Sequence, residues 1–238
     1  ASTIETMDAN IPLSCAVLDE MQMIVDPERG WAWTQALVGC PAEHLVLLGS
    51  MDVWPILKPL LQRLGIEYDT VWTNRLQPLR AQKYAIRIQD AEPGDAYVVF
   101  SRKDVFFYQE LLAKQGLSTA VVYGALGPEV RRSEAERFRN GQAKVLIATD
   151  AIGMGLNLPI RRVVFTTMSK FNGEDTVPIP PSLVKQIAGR AGRFGHFEEG
   201  HVTALDSETL AYVHSCLNRS TKLDNQNVAV APTVDQLK

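Results

Sequence analysis

Apolar residues recur along this chain in short continuous runs, each followed by a stretch with helical spacing. The runs are 15–18, 44–48, 96–100, 120–123, 144–148 and 162–165, rich in Val, Leu, Ala and Ile. Short continuous apolar runs read as strands buried on both faces, as in parallel sheets. The spacing predicts helices near 28–40, 51–64, 103–115, 128–140 and 181–191. Pro128 suits the first turn of one of these, and Asn140-Gly141 its end. Strand alternating with helix predicts a doubly wound α/β fold built on parallel sheets.

The alternation breaks over 73–92, which contains Asn74, Arg75, Gln77 and Pro78, and restarts at Pro93-Gly94-Asp95. The stretch 73–92 therefore reads as a linker. It separates a first unit over 1–72, about half a usual domain, from a complete second unit over 93–217. The polar stretch 218–238 reads as a tail leading into a further domain. Nearly every apolar run ends in a polar or glycine position: Asp19-Glu20, Gly49-Ser50, Ser101, Gly124 and Thr149-Asp150. Open α/β sheets bind ligands just beyond the carboxyl ends of their strands, so these positions predict a site.

Composition narrows the classes. The chain has 238 residues, 46% of them hydrophobic and 21% charged, enough for a real core and typical of a soluble globular protein. Its 24 Lys and Arg against 27 Asp and Glu give a net charge of −3, so it is no uniformly basic nucleic-acid binder. The average hides a local excess, because 161–195 holds six basic residues and two acids, a balance of +4. Cys15, Cys40 and Cys216 are far apart, which argues against a disulfide framework or zinc site and favours a reducing compartment. No apolar run approaches a membrane span. The first ten residues contain no Lys or Arg and have no signal-peptide layout.

Three segments carry candidate chemistry. Asp19-Glu20 follows the first apolar run, where one carboxylate can hold magnesium and its neighbour can orient or deprotonate a water. Gln186, Arg190 and Arg193 recur at i, i+4 and i+7, one helix stripe inside the basic segment. Two guanidiniums on one face suit a phosphate chain, because Arg offers planar forks that stay charged. Gly153 and Gly155, after the run 144–148, permit a tight loop whose amides can face a phosphate. Trp33, Ala36, Leu37 and Cys40 share a helix stripe, which predicts Trp33 in the core; Trp31 lies off it.

In this order, the Asp-Glu box, the loop Ala148-Thr149-Asp150-Ala151-Ile152-Gly153-Met154-Gly155-Leu156-Asn157 and the run Gln186-Ile187-Ala188-Gly189-Arg190-Ala191-Gly192-Arg193 resemble motifs II, V and VI of superfamily-two helicases. Asp19-Glu20-Met21-Gln22, Asp26-Pro27-Glu28-Arg29-Gly30-Trp31, Phe100-Ser101-Arg102-Lys103-Asp104 and Val122-Tyr123-Gly124 resemble the RNA helicase family of the mitochondrial degradosome, the Suv type. The likeness runs from about Thr3 to about Gln236. It implies RecA-like parallel sheets: one complete second core, preceded by the C-terminal half of a first core. It implies that ATP and Mg2+ are used in RNA unwinding and translocation, with Asp19 holding the metal and Glu20 activating water. By the same resemblance Gln22 and Gln186 lie near the γ-phosphate or that water, and Arg190 and Arg193 act as arginine fingers. Gly155 and Asn157 would approach the γ-phosphate and ribose, although many relatives carry Asp where Asn157 stands. Ser101, Arg102, Gly124 and Thr149 would line an RNA groove.

No Gly is followed by Lys in this sequence, so it holds no Gly-x-x-x-x-Gly-Lys-Ser/Thr phosphate loop. The chain alone is therefore expected to be inactive, with the loop lying upstream. The resemblance further implies single-stranded 3′ regions of RNA as partner, and a 3′-to-5′ exoribonuclease, either polynucleotide phosphorylase or an RNase-II type. It implies no membrane, and a place in the mitochondrial matrix, or the cytoplasm for a bacterial protein. A non-catalytic helicase-like module that binds RNA or protein, and a DNA helicase, stay open as alternatives.

Overall fold

The computed structural model describes residues 2–153 and 157–218, together with Val228. They form two compact units that part between Val71 and Trp72.

In the first unit, strands β1 (Leu13–Leu18) and β2 (Ala42–Leu47) pair in parallel. A 3-10 turn, Met21–Val25, and helix α1 (Gly30–Gly39) connect them, and helix α2 (Trp54–Arg63) follows. Side chains alternate across a strand, so Leu18, Leu45 and Leu47 share one face. That face packs with Trp33, Ala36 and Leu37 of α1 and with Leu57 and Leu61 of α2. Leu13, Val17 and Val46 point the other way and are exposed, Val17 by 57%. The expectation of burial on both faces therefore fails for these two strands. Their helices cover one side only among the described residues.

The second unit is a three-layer sandwich. Its strands are β3 (Leu79–Ala81), β4 (Asp95–Val98), β5 (Thr119–Val122), β6 (Val145–Ala148) and β7 (Arg162–Phe165). A short antiparallel hairpin, β8 (Ser169–Phe171) and β9 (Thr176–Pro178), precedes the last strand, β10 (Gly200–Ala204). The main sheet runs β3-β10-β7-β4-β6-β5 with every pairing parallel. Its helices are α3 (Arg102–Ala113), α4 (Pro128–Arg139), α5 (Pro181–Ala188) and α6 (Ser207–Asn218). Ala96, Val98, Leu146, Ala148 and Phe165 pack with α4, α5 and α6 on one face. Tyr97, Val145, Ile147 and Val164 pack with Val105 and Leu112 of α3 on the other. Here burial on both faces holds, and β4, β6 and β7 are buried at every position.

Two differences from the sequence reading have local causes. The stretch 73–92 is no simple linker: Leu79–Ala81 pairs with β10, and Ile86 and Ile88 pack against the sheet. Three residues with Arg80 at their centre are too short and too polar to register as an apolar run. Likewise β10 alternates His201 and Thr203 with apolar neighbours and shows no continuous run. The tail from 219 on lies outside the described residues, Val228 apart.

An ion pair anchors the amino ends of β4 and β7. Asp95, fully buried, accepts from Arg162 Nε at 2.9 Å and Nη2 at 2.6 Å, and from the Glu92 amide at 2.9 Å. Burial works against the Arg162 charge, yet its hydrogen bonds and the Asp95 charge outweigh that, and its pKa is raised.

Candidate functional site

The Asp-Glu box lies at the carboxyl end of β1. Glu20 has φ 57° and ψ 42°, the left-handed region, and is alone in this among non-glycine residues described. A carboxylate residue has no steric reason to sit there, and such backbone strain gathers at functional sites. Neighbouring groups hold the turn in place. Asp19 Oδ1 accepts the Glu20 amide at 2.7 Å, and the Trp33 indole donates to the Asp19 carbonyl at 2.9 Å. The Gln22 amide group donates to Glu20 Oε2, while its Oε1 accepts the Ser50 amide at 3.1 Å. Asp19, Glu20 and Gln22 thus form one cluster, laced to the segment that follows β2. Trp33 is buried as its stripe predicts, with an added bond to the box that periodicity could not announce. Trp31 packs half-buried against the same core.

In the second unit Gln186, Arg190 and Arg193 do converge, but not as a helical stripe. Helix α5 ends at Ala188, and Gly189 caps it. Beyond it Ala191 bridges to Ile160, and Gly192 turns at φ 69°. A Cβ on Gly192 would overlap the backbone of Gly200, so this crossing demands glycine and forces the chain out of helical geometry. The two arginines therefore sit on a turn. Gln186 Nε2 donates to the Gly153 carbonyl at 3.3 Å, Arg190 donates to the same oxygen, and Arg193 Nη1 donates to the Asn157 carbonyl at 2.7 Å. Arg139 of α4 also reaches Asn157, at 3.4 Å. Gly155 lies outside the described residues. Arg190, Arg193 and Asn157 line a cavity of about 280 Å3 together with Arg75, Leu76 and Phe194. Sequence reasoning passed over Arg75 and Arg139; only the fold brings them here.

Ser101, Arg102, Gly124 and Thr149 lie at the carboxyl ends of three adjacent strands, β4, β5 and β6. Ser101 caps α3: its hydroxyl accepts the Asp104 amide at 3.1 Å and donates to the Asp104 carboxylate at 2.6 Å. The Arg102 guanidinium stands 5.3 Å over the Tyr123 ring. Gly124 offers its carbonyl to Arg131 at 2.9 Å, and the Thr149 amide donates to Val122 at 3.0 Å. Beside Ser101 a second cavity, of about 380 Å3, opens between the ends of β4 and β7, lined also by Phe107, Thr166, Lys170 and Phe171. The chain leaves β4 for one face of the sheet and β7 for the other, the kind of switch point where α/β sheets take ligands. Lys170 and Phe171 carry no sequence motif and were not foreseen.

No group of three or more potential metal ligands occurs among the described residues. Magnesium needs none, since it is held by one or two carboxylates and otherwise by water and phosphate. Asp19, an exposed hard-oxygen donor at a strand end, fits that role. Among the described residues no helix is long and apolar enough to cross a membrane.

Comparisons with known proteins agree with this layout. The DEXQ-box helicase domain of Suv3 matches residues 1–72, and the helicase conserved C-terminal domain matches residues 79–195. The ATP-dependent RNA helicase SUV3, mitochondrial, of Candida albicans is 42% identical over 91% of this chain and 31% of its own length. The ATP-dependent RNA helicase SUPV3L1, mitochondrial, of Mus musculus is 40% identical over 99% of this chain and 31% of its own. The chain thus spans about a third of the length of these relatives. Among solved structures, S. cerevisiae Dbp5 bound to RNA and ADP BeF3 shares the fold, with a TM-score of 0.59 at 18% identity over 93% of this chain and 60% of that one. With RecA-like architecture, an Asp-Glu-Met-Gln box and the two helicase domains matched in order, the chain is similar to the Suv3-type helicases in both of its units.

Proposed function

We propose that this chain is part of an ATP-dependent RNA helicase of mitochondria, and that its two units carry complementary halves of the hydrolytic machinery. The observation that carries this reading is the convergence of Gln186, Arg190 and Arg193 on the carbonyls of Gly153 and Asn157. Cationic forks held in place by backbone carbonyls are what phosphoryl transfer needs, because its transition state spreads negative charge over phosphate oxygens. Arg190 and Arg193 stabilise that charge, and Gln186 orients the water or the γ-phosphate. Gly155 and Asn157 approach phosphate and ribose. In the first unit Glu20, steadied by Gln22, orients and deprotonates the attacking water. Asp19 holds Mg2+, which supplies charge neutralisation for the phosphates.

Ser101, Arg102, Gly124 and Thr149 meet the RNA backbone, a largely sequence-blind mode of contact. The names of the relatives support RNA as substrate and the mitochondrion as location. The matrix, single-stranded 3′ regions of RNA and a 3′-to-5′ exoribonuclease partner complete the reading.

In the full-length protein, Glu20→Gln and Arg193→Ala each abolish RNA-stimulated ATP hydrolysis while circular dichroism shows the fold intact. Wild-type turnover in both variants would leave only a binding module. Stimulation by RNA and DNA of equal length, compared at matched salt, decides the substrate.

A further inference from the structure

The turn that carries the two arginines is gripped from outside by a third. Arg75, in the segment that leads into β3, spreads its fork over three carbonyls. Its Nε donates to Gln77 at 2.6 Å, Nη1 to Gly189 at 2.8 Å, and Nη2 to Ala191. Gly189 and Ala191 flank Arg190 in sequence, so the fork holds the peptide groups on both sides of that residue. Carbonyls at a helix C-terminus lack intrahelical partners and carry the negative end of its dipole, which suits a guanidinium. Burial pulls the Arg75 pKa below its ordinary value, so the fold accepts a desolvation penalty to keep this cation here. Each of its hydrogen-bond acceptors is a backbone oxygen, so what the cation secures is the path of the chain.

On its inner side the same turn is held by the Gly192 amide, which donates to Ile160 at 2.8 Å, and by the close crossing with Gly200. Arg190 and Arg193 then reach Gly153 and Asn157 from a backbone fixed on two sides. All of these groups belong to the second unit.

We propose that Arg75 is a positioning residue for ATP hydrolysis, fixing the 189–193 turn so that Arg190 and Arg193 are presented at the geometry the transition state requires. This rests on the reading of those two arginines as phosphate-facing groups. Neither Lys, a point charge, nor Gln, with two donors, reproduces the three-carbonyl fork.

The test uses the full-length protein with Arg75→Lys, Arg75→Gln and, as reference, Arg193→Ala. In both Arg75 variants kcat for RNA-stimulated ATP hydrolysis falls roughly tenfold to a hundredfold, the scale of a misplaced catalytic group. The KM for ATP, RNA affinity and melting temperature stay near wild type, a split that a merely structural role would not produce. Unchanged kcat in Arg75→Lys and Arg75→Gln, beside a dead Arg193→Ala, overturns the proposal alone. Full turnover by Arg193→Ala overturns the reading beneath it. Loss of RNA affinity in proportion to kcat, or failure of both Arg75 variants to fold, assigns Arg75 a structural role and equally overturns the proposal.

Discussion

Glu20 and Gly192 place opposite demands on the same region of backbone space. Glu20 occupies left-handed geometry although its side chain disfavours it, while Gly192 occupies it where no other residue fits. The two substitutions therefore differ in outcome. Glu20→Gly relieves a strain of about 1 kcal/mol and leaves equilibrium stability within about that margin, while removing hydrolysis altogether. Gly192→Ala adds both the strain and an overlap with Gly200, and is expected to cost about 3 kcal/mol or more by urea unfolding. A stable but inactive Glu20→Gly protein marks strain kept for function; a destabilised one shows that the carboxylate also holds the turn. The carboxylates and arginines were legible in the sequence because their spacing is a motif. Arg75 was not, since Gly189 and Ala191, the two residues of the turn that it binds, lie more than a hundred positions away.

Among the elements, α4 was legible to within one residue because its ends are written in local chemistry. Pro128 opens it, and Gly141 leaves it at φ 76°. The spacing that predicts a helix over 181–191 overruns α5, since apolar and polar spacing continues past Ala188 while the Ala191 bridge and the Gly200 crossing stop the helix. Helix α3 shows how a cap and a binding role share residues. Ser101 satisfies an amide in the first turn, so Ser101→Ala is expected to lower stability by about 1 kcal/mol whatever it does to RNA. Arg102 stacks on Tyr123 outside the core, so Arg102→Ala weakens RNA binding at little cost in stability. Its signature is a reduction of about one in the slope of log K against log salt. If Arg102→Ala leaves that slope unchanged, the end of β4 is not a phosphate contact.

At the scale of the whole molecule, the two ends of the sheet in the second unit differ in burial. The amino ends of β4 and β7 hold the buried Asp95–Arg162 pair, and the carboxyl end of β4 leads into the exposed Ser101 and Arg102. The buried pair specifies how β4 and β7 associate. Asp95→Ala strands the Arg162 charge and the Glu92 amide, and is expected to cost about 3–5 kcal/mol. Replacing both partners with apolar residues, as in Asp95→Leu with Arg162→Met, recovers much of that loss, because no unpaired charge remains. Thermal unfolding of the two single variants and the double checks this. A double variant no more stable than its parents would show that the pair is needed as a pair.

The sequence by itself determined the class of fold, the division into a short first unit and a larger second one, and the residue types of the candidate site. Those properties follow from local periodicity and from motifs whose members lie close along the chain. Tertiary structure decided the rest. It made Leu79–Ala81 a strand, because pairing with β10 supplies the order that three residues cannot encode. It left one face of β1 and β2 exposed, because burial depends on what packs against a strand and not on the strand's own composition. It also moved Arg190 and Arg193 from a helix to a turn held by Arg75, because backbone crossings and long-range hydrogen bonds have no signal in spacing.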